Sequence, residues 1–250
     1  MSALAQPPAP MHTHAHLLTA DPDLGERIPA EERELARRLL VAEARHLEPG
    51  PWVPDLRRSD GADGFAILLL RGAVTREVHL AGRRSAELVG PGDVVRPSDA
   101  DQSLVPHEVT WTVTEPTVIA ILDDRFRQAA CRWPSLSQAI DDRLLTQADR
   151  VAVHVAIAQL GRVDLRLLAL FWHLADRWGR VTSHGVSLPL KLTHDALGRL
   201  VGAQRPTVSL ALADLSRDRV LTRVATGGWL LDPDSRELLR SPDRAVVAAV

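Results

Sequence analysis

Over residues 40–122 the apolar positions gather in short β-prone runs, at 65–70, 74–80, 86–89, 109–114 and 117–122. Breakers separate the runs at roughly ten-residue intervals: Pro49-Gly50-Pro51, Gly61, Gly72, Gly82, Pro91-Gly92 and Pro116. Short strands so spaced predict a compact antiparallel β-roll or jelly-roll barrel. Ahead of them a short amphipathic helix begins around Pro29, and residues 1–16, rich in Pro, Ala and His, read as a disordered tail.

After Asp123 the pattern changes. Ile140, Leu144, Ala148, Val151, Val155 and Ala158 step by 4, 4, 3, 4 and 3, a narrow seam over about five turns of one long helix. So narrow a stripe suits a helix pairing with its twin, although packing on its own barrel is a second reading. Gly161 breaks this helix, Asp164 is placed to cap the next, and residues 165–178 are strongly apolar.

Residues 192–215 predict two short helices joined by a glycine turn. Thr193 is the expected N-cap of the first, its hydroxyl accepting an orphan backbone N–H, and Asp195 follows in the first turn, where the helix dipole favours negative charge. Ala196, Leu197 and Leu200 share one face. Gly202 supplies the positive φ of a sharp turn, and Pro206 is tolerated in the first turn of the second helix. Val208, Leu212 and Leu215 give that helix its apolar stripe, which leaves Gln204, Arg205, Thr207, Ser209 and Leu210 outward. A helix pair with a polar, arginine-bearing leading edge is the arrangement that enters a DNA major groove; a helical hairpin packed in a core is the plainer alternative. Residues 220–231, two β-prone runs around Gly227-Gly228, add a β-hairpin, which in this position is a wing.

Composition adjusts this picture modestly. Of the 30 basic residues only Lys191 is lysine, and there is no tyrosine. We read this as a coding bias, so abundant arginine is not itself a sign of nucleic-acid binding. The net charge is −2, but residues 180–250 hold ten Lys and Arg against seven Asp and Glu. That asymmetry favours a polyanionic partner for the C-terminal part. A single cysteine, Cys131, excludes an intramolecular disulfide and any all-cysteine cluster. It is expected as a small buried residue at the end of a short helix. No segment resembles a signal peptide or reaches the roughly 18 apolar residues of a membrane span, so a soluble cytoplasmic protein is expected. The alternating His12, His14 and His16 raise the possibility of a metal-binding tail, although such histidines in a Pro-rich end are commonly incidental; no metal or cofactor is assigned.

The order of barrel, long helix, helix-turn-helix and wing resembles the Crp/Fnr family of bacterial transcription regulators over about residues 20–232. The specific stretch is Leu192-Thr-His-Asp-Ala-Leu-Gly-Arg-Leu-Val-Gly-Ala-Gln-Arg-Pro-Thr-Val-Ser209, close to the family's Leu-Thr-x-x-x-Leu-Ala/Gly-x-x-Val-Gly-x-x-Arg-x-Thr-Val-Ser. The resemblance implies an α+β chain with an effector domain at 17–132, like a cyclic-nucleotide-binding domain. A dimerisation helix would follow at 133–162 and a winged helix-turn-helix at 163–250, with the recognition helix near 205–216. It implies a homodimer that binds pseudo-palindromic double-stranded DNA and acts with RNA polymerase. By position Arg205 becomes the main base reader, Gln204 and Thr207 phosphate contacts, and Thr193 a backbone support. Where the family commonly has an acidic reader and a second arginine, this chain has Pro206 and Leu210.

The effector half departs further. Pro91-Gly92-Asp93 matches the approach to the family's cyclic-phosphate site, but no Gly-Glu-Leu follows, and the position of the phosphate-binding arginine falls near His107-Glu108. A carboxylate there repels phosphate, by on the order of a kcal/mol or more. Asp93, Arg96, His107 and Glu108 are the effector-pocket candidates, for an unknown small molecule and not a cyclic nucleotide bound in the usual way. The single cysteine excludes an Fnr-like iron–sulfur cluster, and no spacing supports haem ligation by His107. A small-molecule sensor whose winged helix serves protein contacts is the alternative reading. Catalysis is not expected: His154, His173, His184 and His194 have no acid–nucleophile pattern beside them, and there is no Gly-rich phosphate loop.

Overall fold

A computed structural model of the chain describes residues 12–97, 103–225 and 227–240. It divides into two units: residues up to Leu80 together with Leu88–Asp149, and Ala81–Glu87 together with the chain from Arg150 onward.

The first unit is built on strands. β1 (His12–His16) leads into a short α1 (Leu17–Ala20) and then α2 (Arg33–Leu39). The strands β2 (Val41–Leu47), β3 (Gly50–Trp52), β4 (Ala66–Arg71), β5 (Val74–Leu80), β6 (Arg83–Val89), β7 (Val94–Val95), β8 (Glu108–Val113) and β9 (Thr117–Leu122) follow, the part of β6 up to Glu87 being counted with the second unit. Two sheets result, ordered β1-β2-β9-β4-β7 and β3-β8-β5-β6, and every registered pair within them is antiparallel. α3 (Asp124–Arg132) and α4 (Pro134–Ala158) close the series.

The continuous apolar run of β4 is explained by burial on both faces. Ile67 and Leu69 join Trp111, Val113 and Ile119 in one core. Ala66 and Leu68 join Leu17, Leu40, Phe126, Leu136 and Ile140 in another. β2 also has both faces covered, but with charge on one of them. Glu43 and Arg45 are buried, and the loop after β3 supplies their partners: Ser59 N and Oγ donate to Glu43 at 2.9 and 2.8 Å, and Arg45 donates to the Asp55 and Arg57 carbonyls. Burial alone would raise the Glu43 carboxyl, but hydrogen bonds from Ser59 and Arg45 outweigh it and hold the pKa down to about 2.

Two expectations are corrected here, and the second reading of the α4 stripe is met at one of its positions. Residues 12–16, assigned to a disordered tail, form β1 against β2; residues 1–11 lie outside the described residues. Cys131 is exposed, because the buried face of α3 is set by Phe126 and Ala130 and the next residue turns about 100° away from it. Ile140, the first member of the predicted seam, is a core residue of its own barrel.

In the second unit α5 (Val163–Trp178) is the central helix, with Leu165, Leu167, Leu168, Leu170, Phe171 and Leu174 buried. Asp164 does not cap it. Arg162 holds the N-cap position, and Asp164 sits in the first turn with its carboxylate bound by the Arg162 guanidinium. Beyond α5 come β10 (Arg180–Thr182), β11 (Gly185–Leu188), α6 (His194–Val201), α7 (Arg205–Arg217), β12 (Leu221–Arg223), β13 (Trp229–Leu231) and a terminal turn, α8 (Glu237–Arg240). The predicted wing hairpin β12–β13 is the edge of a four-stranded antiparallel sheet, β10-β11-β13-β12.

Candidate nucleic-acid interface

The helix pair is organised by its caps and its turn. Thr193 is the N-cap of α6 and its hydroxyl accepts from Ala196 N at 3.1 Å. Asp195 occupies the first turn and pairs with Arg199 at 2.7 Å. At the far end Gly202 takes φ 64° and ψ 39°, the left-handed conformation glycine adopts without steric cost. Ala203 N then donates back to Gly198 O at 2.9 Å. A Cβ on Gly198 would lie 2.7 Å from the Ala203 carbonyl oxygen, so the turn closes directly onto a glycine.

α7 starts immediately afterwards. Val208, Ala211, Leu212 and Leu215 are buried, which turns the opposite side outward. Gln204, Arg205, Pro206, Thr207 and Leu210 are exposed, while Ser209 is only partly so. Gln204 is the N-cap but its side chain makes no capping bond, which leaves the amide directed at the surroundings. Ser209 is committed internally: its hydroxyl donates to Arg205 O at 3.0 Å and meets His194 Nδ1 at 2.8 Å. Of the six residues expected at the interface, Gln204, Arg205, Thr207 and Leu210 thus stand exposed at the start of α7, while Thr193 serves as a cap and Ser209 positions the helix.

The wing folds as a tight hairpin, with Val224 N donating to Gly228 O at 3.0 Å and Gly227 N to Val224 O at 2.9 Å. Arg223 lies over the Trp229 ring, 5.5 Å from its centroid. Lys191 runs beside Gly227, since a Cβ there would meet the lysine stem at 3.4 Å. The only lysine of the chain is therefore at the wing.

Of the four effector-pocket candidates one is buried and two are exposed. Asp93 is buried and accepts from Gly90 N at 2.9 Å, closing its own turn. Arg96 and Glu108 are exposed. His107 Nδ1 contacts the Val105 carbonyl at 2.9 Å. The charged group that does reach the space between the sheets was missed: Arg76 stands directly opposite Trp111 in the β5–β8 ladder, and Trp111 opposite Trp52 in β8–β3. The guanidinium is 5.9 Å from the Trp111 centroid, and the two indoles meet edge to face at 5.7 Å. Since Trp111 belongs to the inter-sheet core, its cross-strand neighbour shares that face. The signal available was the alternation Val74-x-Arg76-x-Val78, which puts Arg76 on the apolar face of its strand.

Also unforeseen is a pair of histidines, His154 on α4 and His173 on α5, with ring centroids 6.3 Å apart. Burial lowers the pKa of His154, against the pull of Glu87 and of hydrogen bonds with the Leu200 and Ala86 backbone. Burial lowers His173 to about 4, helped by His154, Arg177 and Arg150 and opposed by Asp176. Both rings bind protons less readily folded than unfolded, so their stabilising effect is complete above the ordinary histidine pKa of about 6.5 and is lost as pH falls below it. For His173, the more strongly lowered of the two, the loss continues as pH falls toward about 4. Urea midpoints of the full chain should therefore fall between about pH 7 and about pH 4.5, and His173→Gln should flatten that slope. An unchanged slope would remove the histidine pair as its source.

Among the described residues no group of three or more His, Cys, Asp or Glu side chains could hold a metal ion. No described helix is long and apolar enough to cross a membrane.

Comparison with known proteins agrees with this geometry. Residues 165–238 match the model of the Crp-like helix-turn-helix domain. No curated protein matches the chain in sequence at a significant level. Among solved structures, FixK2 from Bradyrhizobium japonicum superposes with a TM-score of 0.60 at 17% identity, covering 80% of this chain and 97% of its own. A CooA variant from Carboxydothermus hydrogenoformans gives 0.58 at 18% identity, with 79% and 86% covered. A CRP-family transcriptional regulator from Thermus thermophilus gives 0.53 at 20% identity, with 79% and 96% covered. Residues 165–238 thus match a Crp-like helix-turn-helix domain, and the fold resembles that of solved structures that include a CRP-family transcriptional regulator.

Proposed function

We propose that the chain is a homodimeric, sequence-specific DNA-binding transcription regulator that lays α7 in the major groove. The observation that carries this reading is the leading edge of α7. There Gln204, Arg205 and Thr207 stand exposed at the start of a helix whose opposite face is buried. The Arg205 fork suits guanine O6 and N7, while Gln204, Thr207 and the Lys191-bearing wing are suited to phosphates. Pairing between copies is supported by α4, where Leu144, Val151 and Val155 are 44%, 36% and 50% exposed in the single chain. A two-fold dimer would present its recognition helices to half-sites about 34 Å apart. RNA polymerase is the partner through which such a regulator acts. Glu108 disfavours a cyclic phosphate at the position where the family holds one.

Gel-shift titration against genomic fragments tests the proposal. Specific retention is expected, with Arg205→Ala costing about 1–3 kcal/mol and relaxing the preference at one position per half-site. Absence of any specific fragment would sink it. The exposed Leu210 favours a second reading, a winged helix that contacts protein. Salt separates the two, since counterion release makes DNA affinity fall steeply with ionic strength.

A further inference from the structure

We propose that Leu210 reads a thymine methyl group, so that each operator half-site carries a thymine about two base pairs from the guanine contacted by Arg205. The proposal rests on α7 being the DNA-reading helix.

The buried residues Val208, Ala211, Leu212 and Leu215 define the inward side of α7. At 100° per residue the line farthest from them runs through Pro206, Leu210, Ala213 and Arg217, all exposed. In a helix lying in the major groove this line comes nearest the base edges, and its first three members carry no polar side-chain atom. Leu210 is the one that projects: its relative exposure is 69%. Of the neighbouring polar groups, Ser209 is committed to Arg205 O and His194 and Arg217 to Asp214 at 2.8 Å, while exposed Thr207, on the flank of this line, is the one suited to phosphate. Base recognition between Arg205 and Arg217 therefore falls to an apolar surface.

Major-groove chemistry then restricts the base. The edges of guanine, cytosine and adenine offer donors and acceptors that an apolar side chain would desolvate without replacement, whereas thymine alone adds a C5-methyl group. Five residues at 1.5 Å each separate Leu210 from Arg205 by ~7.5 Å along the axis, about two base-pair steps of 3.4 Å. That fixes where the thymine is expected. The surface adjoins exposed Thr207, three residues before Leu210 on the same side of the helix, which is why duplex DNA is its occupant.

The experiment begins by selecting sites for the wild-type chain from a random duplex pool. Each thymine of the selected site is then replaced singly by deoxyuridine, which removes only the methyl group. One thymine per half-site, at the predicted spacing, should show about fourfold weaker binding as deoxyuridine, as expected for loss of one buried methyl. Leu210→Ala should bind the two duplexes equally and lose base preference there, while the guanine opposite Arg205 remains required. As an exposed residue Leu210 can be truncated without threatening the fold. Guanine dependence through Arg205 with no methyl effect, or a methyl effect that persists in Leu210→Ala, would overturn this assignment alone. Unchanged site preference in Leu210→Ala would likewise overturn it and return Leu210 to a protein contact. No selected sequence at all would overturn it together with the DNA-binding reading.

Discussion

Replacing Leu144 and Val151 together by Asp is expected to leave the chain monomeric and to weaken operator binding by about a hundredfold or more. Both residues lie on the seam of α4, spaced by one heptad, and both are substantially exposed in the single chain. Burying a leucine or valine against a second copy contributes about 1.5–3 kcal/mol per side chain. A carboxylate in the same place must be desolvated with no cation opposite it, which reverses the sign of the contribution. Two recognition helices on one operator also act at high effective concentration, an advantage lost when the copies separate. Because Leu144 and Val151 are not core residues of the protomer, the variant should fold normally and keep weak half-site binding. Ile140→Asp is the contrasting case: Ile140 belongs to the barrel's own core, so that substitution should fail at folding. Sedimentation with parallel gel shifts separates the two outcomes, and a Leu144→Asp/Val151→Asp protein that remains dimeric would rule out the α4 seam.

Much of this architecture can be read from the chain because local chemistry and tertiary placement agree. The strand at 74–80 was predicted with its observed bounds, as was 117–122, since β-prone residues and the flanking breakers together mark their ends. α6 was legible down to its cap, because Thr193, Asp195 and Gly202 each have a local reason to stand where they do. β2 was not. Its sequence Val-Ala-Glu-Ala-Arg-His-Leu reads as a helix former, and it is a strand because its charged face is matched by carbonyls and a serine from a loop ten or more residues away. Only the assembled fold supplies those partners. β10 and β11 were missed for a related reason: three and four residues long, they carry too little pattern to stand out, and they are held in place by each other and by the pairing of β11 with β13. The exposed residues at the start of α7 could be named because exposure on an amphipathic helix follows from periodicity. The inward Arg76 and the His154–His173 pair could not, because what matters there is which segment packs against which.

The second large effect is expected from Phe171→Ala, which should destabilise the winged-helix unit by about 3–5 kcal/mol. Phe171 is fully buried in α5, and its ring centroid lies 4.8 Å from that of Trp229 on β13. Truncation removes the largest fully buried side chain of the structure and with it an aromatic contact between the central helix and the wing sheet. The loss has two parts: the transfer free energy of the missing ring, and the cavity that a close-packed interior cannot collapse to fill. For a unit of about 100 residues each kcal/mol corresponds to about 4–8 °C, so the unfolding transition of this unit should fall by about 15 °C or more. Phe171→Leu separates the contributions, since a smaller change in volume leaves a smaller void; it should retain most of the lost stability while giving up the contact with Trp229. Calorimetry of the full chain reads both. DNA binding should vanish in step with the shifted transition, because Arg205 and Leu210 keep their positions only while α7 is packed through Val208, Leu212 and Leu215. A Phe171→Ala protein that melts like the wild type would mean that α5 is not the helix on which the reading head depends.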